Sequence, residues 1–224
     1  MRAKLIYESS IHNILKSKDI EEIIYHLQPL LDEAIEYFEY SNDFPFLTKK
    51  QIINLLNSNI RIIAKMVSTS PIYGISLDAD ELLWILIPSY FPNKISDDEF
   101  QNAMYRAAMY SAMELVRKNL SKVNPMSEYG KFVLHIALNN GDLDIARKLM
   151  AKPNFKHNTK DEWHDVIPQS FANLDSLKFV LHHPKIKPTK YKLIKYRDSD
   201  IKMGDQDILR SGGLEYLNNF IKRM

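Results

Sequence analysis

Apolar residues recur at three- and four-residue spacing along most of this chain, the period of helices that each bury one face. Leu5, Ile6, Ile11, Ile14 and Leu15 form one such stripe. A second helix over 19–28 turns Ile20, Ile23, Ile24 and Leu27 inward. Pro29 is expected to break or kink it, because proline has no N–H to give the helix ladder. A third helix over 30–40 carries Leu31, Ala34, Ile35 and Phe38. After a turn at 42–45, Thr48 and Gln51 have the spacing of a capping box, in which each side chain accepts from a backbone N–H left free at the helix start. The helix they open is expected to reach about residue 67.

The same reading continues beyond a connection at 68–74. Asp78 and Glu81 are expected to cap a helix that ends near residue 87, where Pro88, Pro92 and Asn93 close it. That cluster predicts a boundary, giving an N-terminal helical region over 1–93 and a second region over 94–224. Ser96 and Glu99 form a further capping box, followed by Ala103, Met104, Ala107, Ala108, Ala112 and Met113. With no Gly or Pro between 100 and 120, one long helix is expected there. After Pro188 the pattern predicts a basic helix, a polar turn over 198–204, and a final pair split by Gly212-Gly213. Only 6 Gly occur in 224 residues, too little punctuation for an all-β fold. The expected class is all-α.

One stretch says more than periodicity. Gly130-Lys131-Phe132-Val133-Leu134-His135-Ile136-Ala137 is followed by Gly141-Asp142-Leu143-Asp144-Ile145-Ala146 and by Leu149-Met150. It resembles an ankyrin repeat, whose signal is a Gly, then T-P-L-H-x-A, a second Gly and a Leu-rich second helix. The pattern recurs. Leu143-Asp144, Leu149-Met150 and Pro153 align with Leu174-Asp175, Val180-Leu181 and Pro184 at a displacement of 31. Glu114 to Lys118 aligns with Asp144 to Lys148 at a displacement of 30, and the segment from Leu214 to Ile221 is similar to the second helix once more. Phe132-Val133 stands where the family has Thr-Pro, so the usual N-cap hydroxyl is missing. Trp163-His164-Asp165-Val166 replaces T-P-L-H in the next copy, leaving only its second helix well matched.

The resemblance implies an N-terminal helical region packed on a short ankyrin-like stack. Each hairpin in such a stack covers the apolar face of the next, and about three are needed for stability. Gly130 would permit the turn into the first helix, His135 would hydrogen-bond to a neighbouring loop, and Gly141 would split the pair. The family binds other proteins and does no chemistry of its own, usually through turn tips and short first helices. Mapped here, that nominates Glu128, Tyr129, Lys131, Asn139 and Asn140, with Trp163 as an aromatic anchor.

Composition narrows the alternatives. There are no Cys residues, which excludes disulfides, thiolate metal sites and cysteine nucleophiles. The first eighteen residues lack an apolar core of signal-peptide length, and no window approaches the roughly 18 apolar residues of a membrane span. A soluble, cytoplasmic protein is expected. Ile-, Lys- and Asn-rich composition points to an AT-rich bacterial genome, and ankyrin-like proteins of such origin are often effectors delivered into a host cell. Net charge is +2, yet 19–48 carries eight acidic residues and no Lys or Arg. The stretch 185–197 carries six bases and no acid: Lys185, Lys187, Lys190, Lys192, Lys195 and Arg197. Interleaved with Tyr191 and Tyr196, these bases could hold phosphates of a nucleic acid or acidic lipid. A solvated helix face explains them better, so nucleic acid is disfavoured as a partner.

An enzymatic alternative rests on histidines. His135, His164-Asp165 and Asp198 or Asp200 have the His…His-Asp…Asp order of helical metal-dependent phosphohydrolases, in which a metal activates water. No phosphate loop, nucleophile elbow or H-E-x-x-H accompanies them. The expected function is therefore non-catalytic recognition of another protein, with no cofactor, no metal and no catalytic residue.

Overall fold

The computed structural model describes residues 19–69, 77–157, 165–203 and 207–224. The stripe expected over residues 5–15, the connection at 70–74, Trp163 and His164 lie outside them. The described residues are all-α, with thirteen helices and no strand. They divide into two compact units after Asn119. That division lies beyond the residue 93 expected from the Pro-rich closure.

Unit 1 contains α1 (Ile20–Tyr40), α2 (Lys49–Ser58), α3 (Ile60–Thr69), α4 (Ala79–Tyr90), α5 (Asp97–Met109) and α6 (Met113–Asn119). Its centre is α4, where Leu82, Leu83, Ile85, Leu86, Ile87, Pro88 and Ser89 are all buried. A helix apolar on every side has to be covered on every side. α1, α5 and α6 do this, and α5 is its most extensive neighbour. Grouping of α5 with the first unit follows directly.

Five local expectations are corrected in this unit. α1 runs unbroken through Pro29. Pro29 and Tyr25, whose carbonyl loses its helical partner, are both solvent-exposed, so water can satisfy that carbonyl. The helix from Lys49 ends at Ser58, and a new one starts at Ile60. Between them Asn59 is buried, donates from Nδ2 to Leu55 O at 2.7 Å and accepts from the Tyr90 hydroxyl at 2.6 Å. α4 does not stop at residue 87; it carries Pro88 and ends at Tyr90. Asp78 makes no side-chain cap bond, and the Glu81 side chain, which would complete the box, forms an ion pair with Arg106 of α5 instead. The boxes of Thr48 with Gln51 and Ser96 with Glu99 both form.

The long helix expected over 100–120 is also two helices. Ser111 takes φ 57°, and the bonds Ser111 N–H to Ala108 O and Ala112 N–H to Ala107 O close a Schellman turn. The same turn closes α7 thirty residues later. Gly141 has φ 77°, with Gly141 N–H bonded to Leu138 O and Asp142 N–H to Ala137 O.

Unit 2 contains α7 (Glu128–Asn140), α8 (Leu143–Ala151), α9 (Val166–Gln169), α10 (Leu174–His182), α11 (Lys190–Met203), α12 (Asp207–Arg210) and α13 (Gly213–Arg223). Two-residue turns join α7 to α8 and α12 to α13. α9 packs on α7, α10 and α11, while α11, α12 and α13 pack on one another. The exits of α8 and α10 are alike at a displacement of 31. Lys152 N–H bonds Leu149 O and Phe155 N–H bonds Lys152 O; His183 N–H bonds Val180 O and Ile186 N–H bonds His183 O. Phe155 and Ile186 are buried in the same way.

Successive turns of unit 2 also touch. Asn173, which caps α10 by accepting from the N–H groups of Asp175 and Ser176, lies against Gly141, where an added Cβ would sit 2.6 Å from its Nδ2. Ser211 Oγ donates to Phe171 O at 2.6 Å. Lys185 Nζ donates to Met150 O and Lys152 O, and Lys152 Nζ donates to Ser121 O and Val123 O. Each lysine thus donates to carbonyls at or just beyond the end of a helix about thirty residues earlier. α11 continues to Met203 through the polar stretch expected to turn. Asp200 accepts there from Ile208 N–H in α12.

Gly141→Ala is expected to cost about 1–2 kcal/mol for its left-handed backbone, and more where the Cβ meets Asn173. Ser111→Gly should be neutral or stabilise by up to about 1 kcal/mol. Chemical denaturation of the two variants checks both signs.

Candidate functional site

α7 owes its start to Ser127, whose Oγ accepts from Gly130 N–H at 3.1 Å. The hydroxyl cap thought missing at Phe132 is therefore present five residues earlier. With the start moved, Gly130 falls inside the helix instead of in a turn. Its role is close approach: a Cβ there would sit 1.8 Å from Asn124 O. The helix has 13 residues and is longer than the short first helix that the resemblance implies.

This placement decides what the nominated residues can do. Glu128, Tyr129 and Lys131 occupy the first turn, and Asn139 and Asn140 the last. At 1.5 Å per residue the two groups stand roughly 16 Å apart, so they mark the ends of a helix and not one spot. Eleven residues is close to three full turns, which puts Glu128 and Asn139 on the same side. Glu128, Asn139 and Asn140 are exposed; Tyr129 and Lys131 are half-buried. Between them, four residues apart, lie half-buried Phe132 and Ile136. Those two give the stripe its apolar middle, and the sequence reading passed over them because the motif draws attention to Leu134 and His135.

His135 is buried, with its ring edge-on to Phe132 at 6.0 Å between centroids. It lines a cavity of about 10 Å³ with Pro125, Met126, Lys131, Leu134, Phe155, Lys156 and Val166, room for one water molecule. The described acids of the phosphohydrolase reading each have partners of their own. Asp165 is wholly buried and accepts from Ile167 N–H at 3.0 Å and from the Tyr196 hydroxyl at 2.8 Å; His157 Nε2 lies 3.0 Å from its Oδ1. Asp198 pairs with Arg197, and Asp200 takes the Ile208 N–H. Among the described residues, no three His, Asp or Glu side chains are grouped to hold a metal.

The His157–Asp165–Tyr196 network was not legible in the sequence. Asp165 finds its partners eight residues before it and 31 residues after it. It joins the exit of α8, the start of α9 and α11 through three polar contacts.

The basic segment separates into two classes. Lys185 is half-buried, its Nζ on the two carbonyls described above and 5.7 Å from the Phe155 ring centroid. Arg197 donates to Asp198 and to Asn218. Lys187, Lys190 and Lys195 are exposed, and Lys192 is half-buried. Of the two interleaved aromatics, Tyr191 is 76% exposed and Tyr196 is buried against Asp165. The segment thus contributes one exposed ring, not two, to any stacking on bases. Nearby, burial and the Lys185 charge hold His183 below the ordinary histidine range.

Compared with known proteins, the chain matches no family model, no curated sequence and no solved structure.

Asp165→Asn is expected to destabilise unit 2 by about 3 kcal/mol, as one partner of a buried pair is removed, and Tyr196→Phe by about 1 kcal/mol. Denaturation midpoints measure both. A histidine held low binds fewer protons folded than unfolded. Its contribution is therefore complete above the unfolded value near 6.5 and is lost as pH falls through that value toward the folded one. His183→Asn should flatten the pH dependence of thermal stability in that window.

Proposed function

We propose that unit 2 is a short, degenerate ankyrin-like stack that recognises another protein without chemistry of its own. The observation that supports this reading is the matching exits of α8 and α10 at a displacement of 31, together with turns that touch across 32 and 40 residues, Gly141 on Asn173 and Ser211 on Phe171 O. Helical hairpins related in this way leave their edges continuous, and a continuous edge is a surface for a partner. The proposed binding stripe runs along α7 through Glu128, Phe132, Ile136, Asn139 and Asn140, with Tyr129 beside it. Large side chains at its middle and polar groups at its rim follow the usual layout of a protein interface. Trp163 is the proposed anchor of the next copy.

The partner is proposed to be a host protein, with the chain acting as a bacterial effector. The Ile-, Lys- and Asn-rich composition supports that origin. The binding reading is favoured over the phosphohydrolase alternative because Asp165, Asp198 and Asp200 are each engaged in separate structural bonds.

Immobilised full chain should retain a partner from a host-cell lysate, and the free chain should compete it off. Combining Glu128→Lys, Phe132→Ala and Asn139→Lys should weaken retention by at least about tenfold. Tyr40→Ala, on the exposed face of α1, should leave it intact. Retention of the same partner by the triple variant would rule out the α7 stripe.

A further inference from the structure

Unit 1 holds a cleft that the reading above does not use. It encloses about 340 Å³ and is lined by Asp80, Trp84, Glu99, Asn102, Ala103 and Arg106, from the packed pair α4 and α5. That volume is at the lower end of the range for small-ligand sites. One wall is the Trp84 indole, which rests on Phe44 with ring centroids 4.7 Å apart. That contact holds the ring in place before anything binds.

The charges of the cleft are unequal. Its one cation, Arg106, is already committed to Glu81 and, through Nε, to Asn102 Oδ1 at 3.1 Å. Glu99 uses Oε2 in the capping box with Ser96, which holds its carboxyl below the usual range and therefore ionised at neutral pH. Asp80 is exposed and makes no hydrogen bond or ion pair with any described residue. Surrounding groups register the excess. Burial raises Glu81, and Asp80 and Asp78 add to the effect against the pull of Arg106. Tyr110 is pushed up to about 12 by burial and by Glu81, Asp78 and Asp80.

We propose that this cleft binds an organic cation, an alkylguanidinium or alkylammonium group, laid on the Trp84 indole with its charge directed to Asp80 and Glu99. An aromatic face and uncompensated carboxylates favour such a group over an anion or a neutral molecule. A bare divalent ion would make no use of the indole and would need more oxygen ligands than two carboxylates supply. The cation arrives either on the side chain of a basic peptide or as a free amine; the recognition chemistry is the same. The proposal concerns unit 1 and stands independently of the repeat reading of unit 2.

The test is a titration of the ¹⁵N-labelled full chain, followed at the Trp84 indole N–H signal, which Trp84→Phe assigns. A Gly-Arg-Gly peptide should shift that signal saturably, and its neutral citrulline counterpart should not. Asp80→Asn and Glu99→Gln should each weaken binding by about tenfold, and added salt should weaken it further. Neither change is expected to disturb folding, since Asp80 has no bonded partner and Gln keeps the capping acceptor. Free arginine amide binding as tightly as the peptide identifies a small amine as the source; weaker binding identifies a peptide. Both outcomes support the site. An equal response to citrulline, an unchanged affinity in Asp80→Asn, or no saturation by about 10 mM ligand would overturn it.

Discussion

Short helices set the problem that this chain has to solve. Apart from α1, no described helix exceeds 14 residues, near or below the length at which an isolated helix becomes marginal in water. Packing therefore has to supply the stability that length does not. Unit 1 meets the requirement by surrounding one helix, α4, whose apolar residues face every direction. Unit 2 has no such centre. It joins short helices through contacts between turns, Gly141 against Asn173 and Ser211 on Phe171 O.

That arrangement leaves many helix ends near one another, and each end exposes carbonyls or N–H groups that need partners. Lysines 152 and 185 supply protons to carbonyls beyond the ends of earlier helices, and Asn173 accepts at the start of α10. Where two ends and a third helix meet in the interior, a carboxylate takes the load: Asp165 accepts from Ile167 N–H and Tyr196 and pairs with His157. Polar groups in unit 2 thus do for register what apolar groups do for cohesion. Of the acids in the phosphohydrolase reading, Asp165 and Asp200 accept at helix starts and Asp198 pairs with Arg197.

The two units carry different surfaces. Unit 2 offers a helix edge, polar at both ends and apolar in the middle, suited to an extended partner. Unit 1 offers an aromatic cleft with surplus negative charge, suited to a single cationic group. The recognition proposed for one does not depend on the recognition proposed for the other.

Local patterns were enough for part of this. The all-α class, the capping boxes at Thr48 and Ser96 and the helix break at Gly141 are written in neighbouring residues, whose bonds reach only three to five positions. What tertiary structure decided lies at longer range or on the solvent side. Glu81 leaves its helix start because Arg106, 25 residues away, competes for it. Pro29 stays within α1 because that face is wet, and Ser111 adopts a glycine-like backbone with no glycine to announce it. Tyr196 proved to be core and Lys185 a helix cap, although their segment reads as a basic surface. A linear pattern records which residues prefer water; only the folded chain determines which of them lose it, and what they bond to when they do.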